Sequence, residues 1–195
     1  MGIEYELKFR ADRRILEAVA KAYPEQHRHF DMQTTYYDTP SGDLSARHFT
    51  LRRRMENGVS VCTLKTPRED ESRNELELPC SDIREAIVLF SQMGAPEELL
   101  SLTENGVTPV CSAAFHRIAI VLEFPDCTLE LALDEGSLTG GDRSIPLCEL
   151  EVELKSGSPL SAQVFAAELM ERYRLVPEPR SKFRRALDLY QGGCL

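Results

Sequence analysis

Apolar and polar residues alternate strictly at the start of the chain. The apolar positions hold Ile3, Tyr5, Leu7 and Phe9, and the positions between them hold Glu4, Glu6, Lys8 and Arg10. Successive side chains of a β-strand point to opposite faces. The pattern therefore predicts a strand with one apolar and one charged face.

The same alternation recurs along much of the chain and predicts further strands. The segments are "MQTTYYDT", "FTLRRRMENGVSVCTLKTP", "RNELELP", "AAFHRIAIVLEF", "CTLELALDEG" and "CELEVELK". Within the second segment, Asn57-Gly58 predicts the tight turn of a β-hairpin. The stretch "GSLTGGDRSIP" is rich in turn residues and predicts a loop before the last strand.

Apolar residues at helical spacing predict four helices among these strands. The first follows Asp12 and the second follows Ser81, each of which can accept a hydrogen bond from the first helical turn. The others are "SPLSAQVFAAELMERY" and "SKFRRALDLYQ". A long series of antiparallel strands interrupted by single helices predicts an α+β fold. Nothing in the sequence indicates a linker, so we expect one domain over residues 1–195.

Composition narrows the possible functions. Among 195 residues, 42% are hydrophobic and the formal net charge is −9. This charge argues against nonspecific binding to nucleic acid or a membrane surface. No apolar run approaches a membrane span and no export signal is evident, so a cytoplasmic location is expected. The six cysteines form no C-x-x-C pair and are expected to be reduced. His27 and His29 have no further ligand nearby in sequence and are expected in a surface loop.

The charged faces of the strands are unusual. They hold few uncharged polar residues, and like charges lie two residues apart, as in Glu149-Glu151-Glu153 and Arg52-Arg54. One explanation is a solvated sheet face. The alternative is that the charges point inward and the helices pack outside, on the apolar positions. That arrangement predicts a closed eight-stranded antiparallel β-barrel whose interior can hold one small ligand.

Rows of carboxylates and rows of cations are what a polyphosphate–metal complex requires. Carboxylates bind Mg²⁺, and Arg and Lys neutralise phosphate oxygens. Arg117 lies in an otherwise apolar strand, which predicts a buried partner or a bound anion for it.

The N-terminal Glu4-x-Glu6-x-Lys8 resembles the E-x-E-x-K signature of the CYTH superfamily, the triphosphate tunnel metalloenzymes. The resemblance continues in order through "TTYYDTPSGDLSARHFTLRRR", "CTLKTP", "RNELEL", "LALDEG", "CELEVELKSG" and the closing S-K-x-x-R-like segment "RSKFRRAL". The chain is most similar to bacterial inorganic triphosphatases.

The resemblance implies an eight-stranded tunnel that acts on a triphosphate with Mg²⁺ or Mn²⁺, two ions being expected. The implied metal ligands are Glu4 and Glu6 with two members of the set Glu149, Glu151 and Glu153. The expected phosphate-binding residues are Lys8, Arg52, Arg54, Lys65, Arg73, Arg117, Lys182 and Arg184. Asp134 is the candidate for ordering the catalytic water or contacting the metal, and Lys8 is the second catalytic candidate.

The sequence leaves the substrate open. The leading hypothesis is hydrolysis of inorganic triphosphate to diphosphate and phosphate. The alternatives are a class IV-type adenylate cyclase and a thiamine or nucleoside triphosphatase. From a different class, the chain could be a binding module for polyphosphate or nucleotide without turnover. The oligomeric state, monomer or homodimer, is also left open.

Overall fold

The computed structural model describes residues 2–24, 26–69 and 72–192, with the side chains of residues 2–4 left out. The described strands form a ten-stranded antiparallel sheet in the order β1-β6-β5-β4-β3-β7-β8-β9-β2-β10. The strands are β1 (Gly2–Glu4), β2 (Glu6–Arg10), β3 (His27–Asp38), β4 (Thr50–Glu56), β5 (Val59–Pro67), β6 (Arg73–Pro79), β7 (Thr108–Glu123), β8 (Cys127–Gly140), β9 (Arg143–Gly157) and β10 (Val176–Pro177). The helices are α1 (Arg13–Ala22), α2 (Asp43–Ala46), α3 (Ile83–Gln92), α4 (Glu98–Leu102), α5 (Pro159–Tyr173) and α6 (Lys182–Tyr190).

The first predicted strand is divided at Tyr5, and its two halves pair with different neighbours. β1 pairs with β6, whereas β2 pairs with β9. The N–H of Leu154 donates to the carbonyl of Tyr5 at 2.9 Å, at the point of division. Strands that lie far apart in the hydrogen-bonded order are therefore joined by consecutive residues. Within the part of the chain that the structure describes, no ladder pairs β6 with β9 or β2, so hydrogen bonding alone does not close the sheet.

The hairpin at Asn57-Gly58 is confirmed between β4 and β5. Both turn residues have positive φ, 48° and 87°, as a type I′ turn requires. The loop expected at "GSLTGGDRSIP" is wrong, because the ladder of β8 and β9 continues to the pair Gly140 and Arg143. Leu138, Ile145 and Leu147 keep the alternation through that stretch and pack in an apolar cluster, which outweighs the turn-rich composition.

Two apolar cores lie on the outer face of the sheet, opposite the charged positions. α1 and α5 cover the first, in which Leu131, Leu150 and Val152 are fully buried. α3 and α4 cover the second, around Leu51 and Leu64. These helices pack outside the charged face, as expected.

The helix caps follow the sequence closely. The Asp12 carboxylate accepts from the backbone N–H of Ile15 at 2.8 Å and caps α1 as predicted. The cap expected at Ser81 is wrong by one residue. Asp82 instead accepts from the N–H groups of Arg84 and Glu85 at the start of α3. Among the described residues, no helix is long and apolar enough to cross a membrane.

The last helix departs from the expectation that all helices lie outside. α6 packs on the inner face, which we define as the face that carries Arg52, Arg54 and Arg117. Phe183 and Leu187 of α6 join an apolar cluster there, and the rings of Tyr36 and Phe183 are 5.1 Å apart. This approach needs Gly140, where an added Cβ would lie 2.2 Å from the carbonyl oxygen of Ala186. One part of the inner face is therefore an apolar surface against which α6 packs.

The segment before α6 is held by a buried carboxylate. β10 pairs with β2, and the N–H of Glu178 donates to the carbonyl of Lys8 at 2.9 Å. The Glu178 side chain, 1% exposed, accepts from Arg10 at 2.8 Å and from the backbone and side chain of Arg180 at 3.1 and 3.2 Å. Burial opposes the charge, but these donors outweigh it and lower the pKa of Glu178 to about 2.

This carboxylate should make folding stability fall in acid. The Glu178 pKa is depressed on folding, so its contribution is complete above about pH 4.5 and is lost as pH falls toward 2. We expect Glu178→Gln to lower the free energy of unfolding at pH 7 by about 2 kcal/mol and to flatten its decline between pH 5 and pH 2.5. Urea unfolding at several pH values measures this. Glu171→Gln, at an exposed position of α5, is the control and should keep the wild-type decline.

Candidate functional site

The inner face surrounds a cavity of about 1250 Å³. All eight of the strands from β2 to β9 contribute to its wall, together with α6. Eleven of the site residues predicted from the sequence line this cavity. Those predicted residues are Glu6, Lys8, Arg52, Arg54, Lys65, Arg73, Arg117, Glu151, Glu153, Lys182 and Arg184. Glu4 precedes Tyr5 on β1, and its side chain lies outside the described residues.

Three carboxylates converge around Lys182, and one of them, Glu151, lines the cavity. Asp134 on β8 is opposite Glu149 on β9, and Glu151 follows two residues later on the same face. Asp134 and Glu149 are fully buried, and one oxygen from each of the three carboxylates lies within 4.8 Å of the others. Carboxylate oxygens alone are the donor set that Mg²⁺ and other hard dications prefer. We call Asp134, Glu149 and Glu151 the acidic triad; its residues fit a divalent cation.

Three cationic side chains converge on the acidic triad. Lys182 Nζ lies 2.7 Å from Asp134, 2.5 Å from Glu149 and 2.7 Å from Glu151. Arg117 donates two hydrogen bonds of 2.7 Å to Asp134 and a third of 2.6 Å to Glu151. This answers the expectation that Arg117 has a buried partner. Arg185 donates to the second oxygen of Glu149.

Lys182, Arg117 and Glu151 keep one another in their charged forms. Burial disfavours the charged form of Lys182, but the acidic triad outweighs it and raises the Lys182 pKa above its ordinary value. The same balance raises the pKa of Arg117. Burial would also favour the neutral acid at Glu151, yet Lys182 and Arg117 hold its pKa well below the usual range. Burial raises the pKa of Glu149. Within the acidic triad, Glu149 is therefore the carboxylate that takes up a proton more readily than Glu151.

A second group of carboxylates lies further along β2 and β9. Glu6 is opposite Glu153 in the ladder. Lys8 donates to Glu6 at 2.8 Å, and Lys155 donates to Glu153 at 2.9 Å. Burial opposes the charge on Lys8, but Glu6 and Glu151 outweigh it and raise the Lys8 pKa. The predicted ligands thus divide into two sets, with Lys8 between them.

The opposite part of the wall is cationic, on β4. Arg54 pairs closely with Glu56 on the same strand, and the ion pairs of Arg52 with Glu75 and of Arg54 with Glu77 are longer, at 3.7 Å. Within the described residues, Arg54 Nε and Thr34 Oγ1 are buried and have no hydrogen-bond partner. Burial first, and then the neighbouring Arg52, lower the pKa of Arg54. A buried donor beside another guanidinium is suited to an anionic oxygen.

The remaining predicted cations are Lys65, Arg73 and Arg184, which also line the cavity. Lys65 Nζ is 3.5 Å from Glu75, and Arg73 donates to the carbonyl of His48. Arg184 pairs with Asp188 one turn along α6 at 2.9 Å and is largely exposed.

Sequence reasoning missed Arg185, the neighbour of Arg184. The sequence feature that could have identified Arg185 is its spacing of three residues from Lys182, because residues three apart lie on the same face of a helix. Arg185 and Lys182 both point into the acidic triad.

Comparison with known proteins adds an independent line. A model of the CYTH domain family matches residues 2–187. The inorganic triphosphatase of Haemophilus influenzae is 31% identical over 137 residues, which cover 68% of this chain and 38% of that protein. The chain thus matches well under half the length of this curated relative.

Solved structures share the fold at lower identity. A putative adenylate cyclase from Bacillus halodurans superimposes with a TM-score of 0.61 at 17% identity, covering 95% of this chain and 98% of that one. A putative adenylyl cyclase from Hippeastrum, described as having a dominant triphosphatase activity, gives a TM-score of 0.60 at 19% identity over 100% and 98% of the two chains.

The contacts of Lys182 predict how a metal ion and the acidic triad interact. Lys182→Met removes one buried cation, so without metal we expect a loss of about 3 kcal/mol of folding stability. A divalent cation at the acidic triad should compensate. Mg²⁺ at millimolar concentration should therefore raise the melting temperature of Lys182→Met more than that of the wild type.

Differential scanning fluorimetry measures both effects. Lys21→Met, an exposed change on α1, is the control for loss of one positive charge and should respond to Mg²⁺ like the wild type. An equal Mg²⁺ response in all three proteins would contradict a cation site at the acidic triad.

Proposed function

Because this chain belongs to the CYTH domain family, we propose that it is a metal-dependent triphosphatase that hydrolyses inorganic triphosphate to diphosphate and phosphate. The observation that carries the proposal is that one cavity presents both carboxylates and guanidinium groups. Carboxylates cluster on β8, β9 and β2, paired with Lys182 and Arg117, and Arg52 and Arg54 line the cavity from β4. A triphosphate with its metal ions needs both kinds of group at once. The triphosphatase relative supports the same substrate class.

In this proposal the cavity is a closed tunnel. β1 and β2 act as one N-terminal strand that bridges β6 and β9 across Tyr5. Together with β3 to β9 this gives a barrel of eight strands, all of which belong to one domain. A small anion inside would be in contact with charged side chains from several strands.

The proposed metal ligands are the acidic triad, with Glu6, Glu153 and Glu4 as the second set, for two ions of Mg²⁺ or Mn²⁺. Bound metal would neutralise phosphate charge and lower the pKa of a water molecule. The protein's own part is to hold Glu151 ionised. Arg117 and Lys182 do so in the contacts already described, by lowering the pKa of Glu151.

The proposed phosphate ligands are Arg52, Arg54, Lys65 and Arg73 on one wall, with Arg117, Lys8 and Lys182 on the other and Arg184 on α6. Arg54 offers a buried Nε that is without a partner in the described residues. Phosphoryl transfer depends mainly on positioning and on neutralising charge. In this proposal Asp134, which accepts two hydrogen bonds from Arg117, orders the attacking water or contacts the metal.

A nucleoside triphosphate is the second candidate substrate. The volume of about 1250 Å³ exceeds the roughly 300–1,000 Å³ usual for small-molecule pockets, so a base and ribose have room beside the phosphates. The Hippeastrum neighbour is named as a putative adenylyl cyclase with a dominant triphosphatase activity, so both chemistries are worth testing here. A cyclase would release cyclic AMP instead of orthophosphate.

Product analysis separates these activities. Purified protein with Mg²⁺ or Mn²⁺ is offered inorganic triphosphate, ATP and thiamine triphosphate in turn, and orthophosphate and cyclic AMP are both measured. We expect orthophosphate from inorganic triphosphate at the highest kcat/KM. Cyclic AMP from ATP without orthophosphate would instead identify a cyclase, and binding of triphosphate without any product would identify a binding module.

Adjacent arginines on β4 provide a matched test of the site. Arg54 faces the cavity, whereas Arg53 is on the outer face and donates to the carbonyl of Ser81. We expect Arg54→Ala to lower kcat/KM for inorganic triphosphate on the order of 100-fold. Arg53→Ala should stay within about twofold of the wild type. Equal losses in steady-state assays of the two variants would refute a specific role of the inner face.

A further inference from the structure

Two imidazoles meet on the outer face of the sheet, away from the cavity. His29 Nδ1 on β3 and His116 Nε2 on β7 lie 3.0 Å apart. His116 Nδ1 lies 2.9 Å from a carboxylate oxygen of Asp31. Asp31 is opposite His116 in the ladder, and His29 precedes it by two residues on the same face. The expectation of a surface loop at His27 and His29 was wrong, and the rigid ladder of β3 and β7 sets this geometry.

Asp31 fixes the tautomer of His116. An ionised carboxylate only accepts hydrogen bonds, so Nδ1 of His116 must carry the proton and donate it. In the neutral ring, Nε2 then presents its lone pair, and that lone pair points toward His29. A carboxylate behind an imidazole is the arrangement that orients metal-binding histidines in proteins.

We propose that His29 and His116 form a binding site for a single transition-metal dication of the Ni²⁺ or Cu²⁺ type, with Asp31 as its positioning residue. At metal–nitrogen distances of about 2.0 Å, a nitrogen separation of 3.0 Å corresponds to an angle at the metal of about 95°. That angle suits tetragonal coordination by nitrogen and oxygen, whereas a tetrahedral site would need the nitrogens further apart. Water completes the coordination, because the site is open: the side chain of His116 is 46% exposed.

The site differs in kind from the cavity. The cavity offers carboxylate oxygens for hard ions, and the outer face offers imidazole nitrogens, which bind softer ions more strongly. The competing explanation is a simple hydrogen bond between two neutral histidines, in which His29 donates to His116. That bond would leave metal affinity unchanged when either residue is removed.

The chain supplies its own control. His27 lies on the same strand and face as His29, but its Nε2 contacts the carbonyl of Tyr23 at 2.9 Å. A metal site of two nitrogens should therefore need His29 and His116 and should not need His27.

Equilibrium dialysis against Ni²⁺ tests the proposal, with excess Mg²⁺ present to occupy the carboxylates of the cavity. We expect His29→Ala and His116→Ala each to weaken the tightest Ni²⁺ binding at least tenfold, and Asp31→Asn to weaken it about 10- to 100-fold. His27→Ala should bind as the wild type does. Wild-type affinity in either His29→Ala or His116→Ala overturns the proposal, as does an equal loss in His27→Ala. Far-UV circular dichroism confirms that each variant is folded.

A second measurement locates the ion. In ¹⁵N-labelled protein, substoichiometric Ni²⁺ should broaden the imidazole signals of His29 and His116 before those of His48, which lines the cavity. Earlier broadening of His48 would overturn the assignment.

Discussion

The burial of three carboxylates in one place is the constraint on which the rest of this structure depends. Asp134 and Glu149 are fully buried, and a buried charge is tolerated only when it is paired and hydrogen-bonded. Compensation comes from β7 through Arg117 and from α6 through Lys182 and Arg185. α6 must therefore enter the inner face, although every other long helix packs outside. α6 packs against the apolar part of that face, where Gly140 leaves space for the backbone of the helix.

The two parts of the inner face are thus mutually dependent. The apolar cluster around Phe183 and Leu187 positions α6, and α6 in turn delivers Lys182 to the acidic triad. On the opposite wall, Arg54 pairs closely with Glu56 on its own strand, while the ion pairs of Arg52 and Arg54 with β6 are 3.7 Å long. Arg54 Nε is buried and has no hydrogen-bond partner among the described residues. This wall therefore keeps one buried donor that is suited to an anionic oxygen.

Most of the correct predictions rest on the alternation of apolar and charged residues along the strands. It assigned Arg52, Arg54, Lys65 and Glu151 to one face correctly, because alternation is a local property of extended chain. It could not predict that α6 enters that face, since the sequence of an amphipathic helix does not say which surface it covers. Nor could it separate Arg184 from Arg185. Because the two residues are adjacent, the direction from which α6 approaches the sheet decides which of them faces the acidic triad. The strand at "MQTTYYDT" was predicted, but its first residues, 27–31, were missed because the outer positions there are polar and the long ladder with β7 is a tertiary interaction.

The division of the N-terminal stretch at Tyr5 has a consequence for how the chain assembles. β1 pairs with β6 and β2 with β9, so residues 2–10 have no complete set of partners until both strands are in place. These pairings also join residues that are far apart in the sequence. Such contacts form slowly, because the entropy cost of closing a long loop comes before the contact stabilises the chain. We therefore expect the segment that carries Glu6 and Lys8 to join the sheet late in folding. Until it does, the cavity lacks the part of its wall that β2 contributes.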